Sequence, residues 1–270
     1  MTTLQALPLP SNFEDLCELF LLYIAYSTLG WCGEMLYCSI PKGHICEKRG
    51  FLNGFLCPIY GHGALLVLYL LHGGFQNPVL TFIFGAIVTS ILEYFTSWIM
   101  EKLFHMRWWD YSQKRFNING RVCASNLLAF GVMGVFVVKV LKPFAFGLFA
   151  KIPPVWLDVI SITLTALLVA DIAISAGVLT KIRGAAESVR ADNTEAITKA
   201  VREALMAQGF LLRHPLHAFP EVQFYNKAHL ARLKAKHDEL QANMREKREK
   251  LQQELDRLEE KRKALKKGKK

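Results

Sequence analysis

Residues 78–104 read PVLTFIFGAIVTSILEYFTSWIMEKLF, and this stretch decides how the chain must fold. It is longer than the about 20 apolar residues that a helix needs to cross a ~30 Å hydrocarbon core. Yet Glu93, Ser97 and Glu101 interrupt it at intervals of four. A charge at mid-membrane depth costs at least ~2.5–3.5 kcal/mol, so each carboxylate needs a partner or a purpose. At 1.5 Å per residue the three form one stripe rising about 12 Å along a helix. Lipid offers no hydrogen-bond partner, so such a stripe must face other helices. The stretch therefore predicts a membrane protein with a polar interior.

Working outward, five stretches reach or approach spanning length: 16–38, 58–74, 78–104, 124–142 and 155–179. The second is short and contains His62 and His72. In the first, Tyr23, Tyr26, Gly30, Glu34 and Tyr37 follow steps of three and four and share one helical face. Pro143 and the Pro153-Pro154 pair bracket Phe144–Ala150, too brief to span, which is expected to rest as a loop at the interface.

Charge divides the chain. Residues 180–270 hold 22 Lys/Arg against 13 Asp/Glu, a net of +9, which leaves +1 of the total +10 for everything before them. The acids interleaved with these cations make nucleic acid a poor match and a cytoplasmic, lipid-facing tail a good one. Lys42, Lys48 and Arg49 follow the first stretch, and Arg107, Lys114, Arg115 and Arg121 follow the third. With five spans these loops and the tail share one side, the cytoplasm by the positive-inside rule, and the N-terminus lies outside. Lys139, Lys142 and Lys151 run against that pattern. The six cysteines show no metal spacing and are expected as reduced thiols, and no metal or cofactor is expected.

Two loop segments carry polar groups to the same side. Arg49-Gly-Phe-Leu-Asn53-Gly-Phe-Leu-Cys-Pro-Ile-Tyr60-Gly61 mixes glycines with apolar residues and leads into the second stretch, as a re-entrant or docked loop would. Trp108-Trp109-Asp110-Tyr111-Ser112 follows the third, and adjacent tryptophans there are expected as interface anchors. Asp110, Asn117 and Arg121 are placed to complete a polar cluster with the stripe of Glu93, Ser97 and Glu101. Glu101 would then pair with Arg107 or Arg121.

These residues carry a resemblance. Tyr26 through Gly30-Trp31, Glu34 and Tyr37-x-Ser39 form one part of it. Arg49-Gly-Phe-Leu-Asn-Gly with Pro58-Ile-Tyr-Gly61, Glu93-Tyr-x-Thr-Ser97-x-x-x-Glu101, and Trp108-Trp-Asp-Tyr-Ser112 with Asn117-x-x-Gly-Arg121 form the rest. Together they resemble the bacterial membrane proteins classed as ABC-transporter permeases of type IV, the CmpB-like group. The similarity covers roughly residues 15–225, with His214-Pro-x-x-x-Ala-Phe-Pro220 at its end. Phe55 departs from the family's usual Pro, and Glu47-Lys48 from the Asn that commonly precedes the Arg. The resemblance implies a transport-type protein and a separate ATPase subunit, and it leaves the substrate open. No GxxxxGK[ST] loop is present, so this chain is no ATPase by itself.

The tail from Glu221 is expected to be helical. Leu230, His237, Met244, Leu251, Leu258 and Leu265 repeat every seven residues, but the second seam position degrades to Lys247, Glu254 and Lys261. Self-association through it is therefore expected to be weak. The expected fold class is an all-α integral membrane protein of about five transmembrane helices with a partly coiled-coil tail. It divides into an outer leader (1–15), a five-span domain (16–179), a linker helix with a Pro-containing turn (180–220) and a charged helix (221–270).

The candidate polar path comprises Glu34, Arg49, Asn53, Tyr60, Glu93, Ser97, Glu101, Asp110, Asn117 and Arg121. Three functions fit it. A permease would pass a small polar substrate. A membrane-embedded enzyme would act on a lipid or polyprenyl substrate, with Glu34, Glu93 or Asp110 as acid or base and Arg49 or Arg121 holding an anionic head group. A scaffold would recruit partners through the tail. Topology is testable directly: reporter fusions after Ala176 and after Gly74 should give opposite signals, cytoplasmic for the first and external for the second.

Overall fold

The computed structural model describes residues 10–40, 43–45, 50–70, 77–189, 193–207 and 209–267, and divides them into one unit up to Phe224 and another from Tyr225. Its first unit inverts the polarity of a water-soluble protein. Ser27, Thr81, Ser90, Glu93, Ser97, Ser161 and Ser175 are buried, while Ile83, Ile87, Phe95, Val132, Leu167 and Val169 are exposed. Only a non-aqueous surround makes that arrangement favourable.

Among the described residues, four helices are long and apolar enough to cross a membrane. Helix α1 (Phe13–Ser39) starts at Asn12, whose side chain accepts from the Asp15 N–H. Helix α3 (Pro78–Phe104) starts likewise at Asn77, with Pro78 in its first turn. The third span is composite: α4 (Ala124–Phe136), a π-helical segment (Val137–Leu141) and α5 (Lys142–Phe149). The fourth is α6 (Pro154–Ser188). Between α1 and α3 lies α2 (Pro58–Leu70), apolar but only 13 residues long. The predicted end of that second stretch, 71–74, falls outside the described residues.

Two sequence expectations need correction here. Phe144–Ala150 is not an interface loop; the helix runs on to Phe149, and Ala145 and Phe149 pack against Leu21, Leu22 and Leu68. Pro143 cannot donate to the preceding turn, and beside it the ladder widens so that the Lys142 N–H reaches the Val137 carbonyl. The widening absorbs the proline without ending the helix. Trp108 is not an interface anchor either. It is 3% exposed, set edge-on to Phe51 and Phe219 at centroid distances of 6.3 and 4.8 Å.

Trp108 belongs to a compact cap at one end of the helices. The last turns of α6, which pass the expected boundary at 179, bring in Val178, Leu179, Ile182 and Ala186. Helix α7 (Thr194–Met206) buries Ile197, Val201 and Leu205 at steps of four, and α8 (Phe210–Ala218) adds Leu216. A two-residue strand β1 (Met106–Arg107) after α3 pairs antiparallel with β4 (Gln223–Phe224) and closes the cap. Between β1 and α4, strands β2 (Asn117–Ile118) and β3 (Val122–Cys123) form a hairpin. Its turn needs Gly120: φ is +64°, and a Cβ there would strike Arg107, Asp110 and Ser112. In the second unit α9 (Lys227–Lys267) is one continuous helix. Its Leu240, Met244, Leu251 and Leu255 are exposed, and Arg245–Glu249 and Lys250–Glu246 pair one turn apart at 3.2 and 2.6 Å.

Small residues let the membrane helices touch. Gly85 of α3 meets Gly134 of α4, where an added Cβ would sit 3.4 Å from the opposite Cα. Gly30 of α1 takes the Tyr60 ring of α2, and Gly61 of α2 takes Ser27 and Tyr23 of α1. An alanine at Gly30 is expected to cost about 1–3 kcal/mol through overpacking. In detergent, Gly30→Ala should unfold at lower temperature than wild type, whereas Gly33→Ala, with nothing within 4 Å of its Cβ, should not.

Candidate functional site

The loop before α2 is hung from a carboxylate that the sequence analysis did not single out. Asp171 lies midway along α6. Its Oδ1 accepts from the Asn53 N–H at 2.9 Å and from Asn53 Nδ2 at 3.1 Å, and its Oδ2 accepts from the Gly54 N–H at 2.6 Å. Ser175, one turn on, donates to Asp171 at 3.2 Å and accepts from Asn53 Nδ2 at 2.9 Å. The loop also bonds to α1 through the Cys57 N–H and the Ser27 carbonyl, 3.0 Å. Leu52 is fully buried, with its carbonyl 3.2 Å from Nε2 of the buried His214 in α8. Irregular backbone is tolerated at membrane depth only where protein satisfies it, and here Asp171 does so. Arg49 lies outside the described residues.

Beside this loop are the two interior carboxylates. Glu34 on α1 is half-buried and accepts from the Tyr60 hydroxyl at 2.5 Å. Glu93 on α3 is 5% exposed. Its Oε1 accepts from the Tyr111 hydroxyl at 3.4 Å and from Asn126 Nδ2 at 3.3 Å, while Oε2 is buried without a hydrogen-bond partner. Tyr111 belongs to the segment between α3 and α4. Burial first, then the charge of Glu93, pushes its phenol well above the ordinary range, and Glu34 adds to this. Each carboxylate thus accepts from a tyrosine hydroxyl, Glu34 from Tyr60 and Glu93 from Tyr111.

Farther along the α3 stripe, Arg121 takes the charge. Its guanidinium donates to Ser97 Oγ at 3.0 Å and to Glu101 Oε2 at 2.8 Å, and lies over the Tyr94 ring at 5.8 Å. Its carbonyl accepts from Trp109 Nε1 at 3.0 Å. So Glu101 pairs with Arg121, not Arg107. Arg107 instead meets Asp110 at 3.2 Å and donates to the Asn119 carbonyl at 2.5 Å. Asp110 also accepts from the Ser112 N–H at 3.0 Å and the Ser112 hydroxyl at 2.5 Å. Burial opposes ionisation of Asp110, but the Ser112 bonds and Arg107 outweigh it and hold the carboxyl below its ordinary range. Asn117 ties down the same turn, accepting from Gly120 N–H at 2.9 Å and donating to the Lys114 carbonyl at 2.8 Å.

The contacts divide the expected single cluster into four. Asn53 goes with Asp171; Tyr60 with Glu34; Glu93 with Tyr111 and Asn126; Ser97 and Glu101 with Arg121. Asp110 and Asn117 shape the loop beneath. Asp110 and Arg121, cast above as acid or base and head-group clamp, are each engaged within the protein. Tyr111 and Asn126 are added by the structure, and no spacing rule links them to Glu93. Asp171 did leave a signal, an acid within the apolar run LLVADIAIS. The described residues include no group of three His, Cys, Asp or Glu arranged to hold a metal.

A family profile described as "Putative ABC-transporter type IV" matches residues 21–176, which contain α1 from Leu21, the docked loop, both interior carboxylates and Asp171. No curated protein and no solved structure matches the chain.

Removing the Asp171 carboxylate should release the loop, at a cost of about 3 kcal/mol for several bonds to a charged acceptor. In Asp171→Ala the Cys57 thiol, 6% exposed in the wild type, should become reactive toward a maleimide, while Cys32 should label equally in both proteins.

Proposed function

The chain belongs to the family described as putative ABC-transporter type IV, and from that premise we propose that it is the membrane-spanning permease subunit of a transport system powered by a separate ATPase. The observation that carries this reading is the buried Glu93, held by neutral donors on one oxygen and by nothing on the other. A carboxylate placed only to stabilise the fold would be paired, as Glu101 is with Arg121. An ionisable group left without a cation at membrane depth usually marks a substrate, ion or proton pathway.

In this reading α2 and its docked loop complete a fifth, partly re-entrant crossing. The N-terminus lies outside, and the cap and α9 lie in the cytoplasm of a cell-membrane protein. The Lys/Arg distribution supports this orientation. The α9 helix lies near anionic lipid head groups and associates with other copies only weakly, since its apolar seam is incomplete.

Crosslinking in native membranes, followed by mass spectrometry, should recover an ATPase subunit with this chain. ATP hydrolysis by the reconstituted pair should fall far more in Glu93→Gln than in Glu249→Gln, whose side chain is exposed on α9. Recovery of no nucleotide-hydrolysing partner would overturn the permease assignment.

A further inference from the structure

We propose that Glu93 is a proton-binding site and that in this state it carries the proton on Oε2. The inference rests on the reading above in taking the Glu34–Glu93 interior as the working part of the protein. Three observations converge on it. The oxygen is buried so fully that no water-sized space touches it, and it has no hydrogen-bond partner. A hydrated cation or ammonium group therefore has nowhere to sit against it, whereas a proton needs no volume. The bonds on Oε1 are long and come from neutral donors, Tyr111 at 3.4 Å and Asn126 at 3.3 Å. Such bonds do not repay the cost of burying a charge.

The charged and titratable groups around Glu93 point the same way. From α1 comes Glu34, a like charge bonded to Tyr60 of α2, with Cys57 beside that tyrosine. From the segment between α3 and α4 come Tyr111 and Lys114, with Cys123 nearer Tyr111 than Glu93. Lys114 is the nearby cation, but it lies over the Tyr111 ring at 5.0 Å from the centroid and is exposed. On α3 itself Tyr94 bonds to Asn119, and Glu101 is neutralised by Arg121. From α4 the contribution is the neutral Asn126. Without a bonded cation, a carboxylate buried as deeply as Glu93 does not stay charged cheaply. Binding is a simple protonation, Glu93 carboxylate plus a proton giving the carboxylic acid. Tyr111 and Lys114 mark the side from which the proton exchanges.

The test is infrared spectroscopy of the full chain in liposomes across a pH series, following the stretching band of protonated carboxyl groups. The wild type should show this band at neutral pH and lose it at alkaline pH. Glu93→Gln should remove it, while Glu101→Gln leaves it in place. Tyr111→Phe removes a donor to the ionised form, so it should move the midpoint to higher pH. It also serves as a second variant should Glu93→Gln fold poorly. Absence of the band in the wild type, its survival in a folded Glu93→Gln, or an unmoved midpoint in Tyr111→Phe would each overturn the proposal. The readout needs no ATPase, so a missing partner would sink the permease reading and leave this one standing.

Discussion

A bilayer supplies no hydrogen bonds, and the bonds between Asp171 and the loop at Asn53–Gly54 are where this protein meets that constraint most directly. Without them a stretch of non-helical backbone would lie among helices with its N–H groups unsatisfied. With them the loop becomes a wall of the interior and sets where α2 begins. Tyr60 of α2 can then reach Glu34 of α1, and the ring fits only because residue 30 has no side chain. The same loop passes its Leu52 carbonyl to His214 in the cap. One carboxylate thus fixes the relation of the interior to the body beneath it.

Much of this was legible in the sequence because apolar length and the spacing of polar residues are local properties. The α3 stripe, the half-buried Glu34 and the glycine-rich loop all follow from steps of three and four or from composition. What was illegible depends on contacts distant in the chain. Arg121 lies twenty positions from Glu101, and nothing in either segment ranks it above Arg107 as the partner. Trp108 looks like any interfacial tryptophan until α7 and α8 fold over it. Phe144–Ala150 looked like a loop because its flanking prolines are strong local breakers, and the π-helical widening that absorbs Pro143 leaves no trace in composition. Asp171 was readable in principle. A single acid in a long apolar run, however, lacks the periodic company that makes Glu93 conspicuous.

The cap shows how one helix can serve two solvents. Through its middle helix α6 turns Asp171 and Ser175 to the loop and exposes apolar residues such as Leu167, Val169 and Ile174, then buries Leu179, Ile182 and Ala186 in the cap with no break between. At its end Glu187 meets His105 at 3.1 Å, and Arg183 donates to the Leu103 carbonyl at 2.8 Å, so α6 is fastened to the last turn of α3 as well. At 1.5 Å per residue its 35 residues make a rod about 52 Å long. Any tilt of the cap is felt at Asp171 and at the loop.

The close crossing of α3 and α4 at Gly85 and Gly134 bears on how the chain can be made. A growing chain leaves the ribosome in sequence order, so Glu93 and Glu101 emerge before Tyr111, Arg121 and Asn126, the groups they later bond. Alone in lipid, α3 would carry two exposed acids on one face. Paired with α4 it buries Glu93 against Asn126, and glycine against glycine lets the two helices close tightly. A helical hairpin entering the bilayer as a unit would spare α3 that exposure.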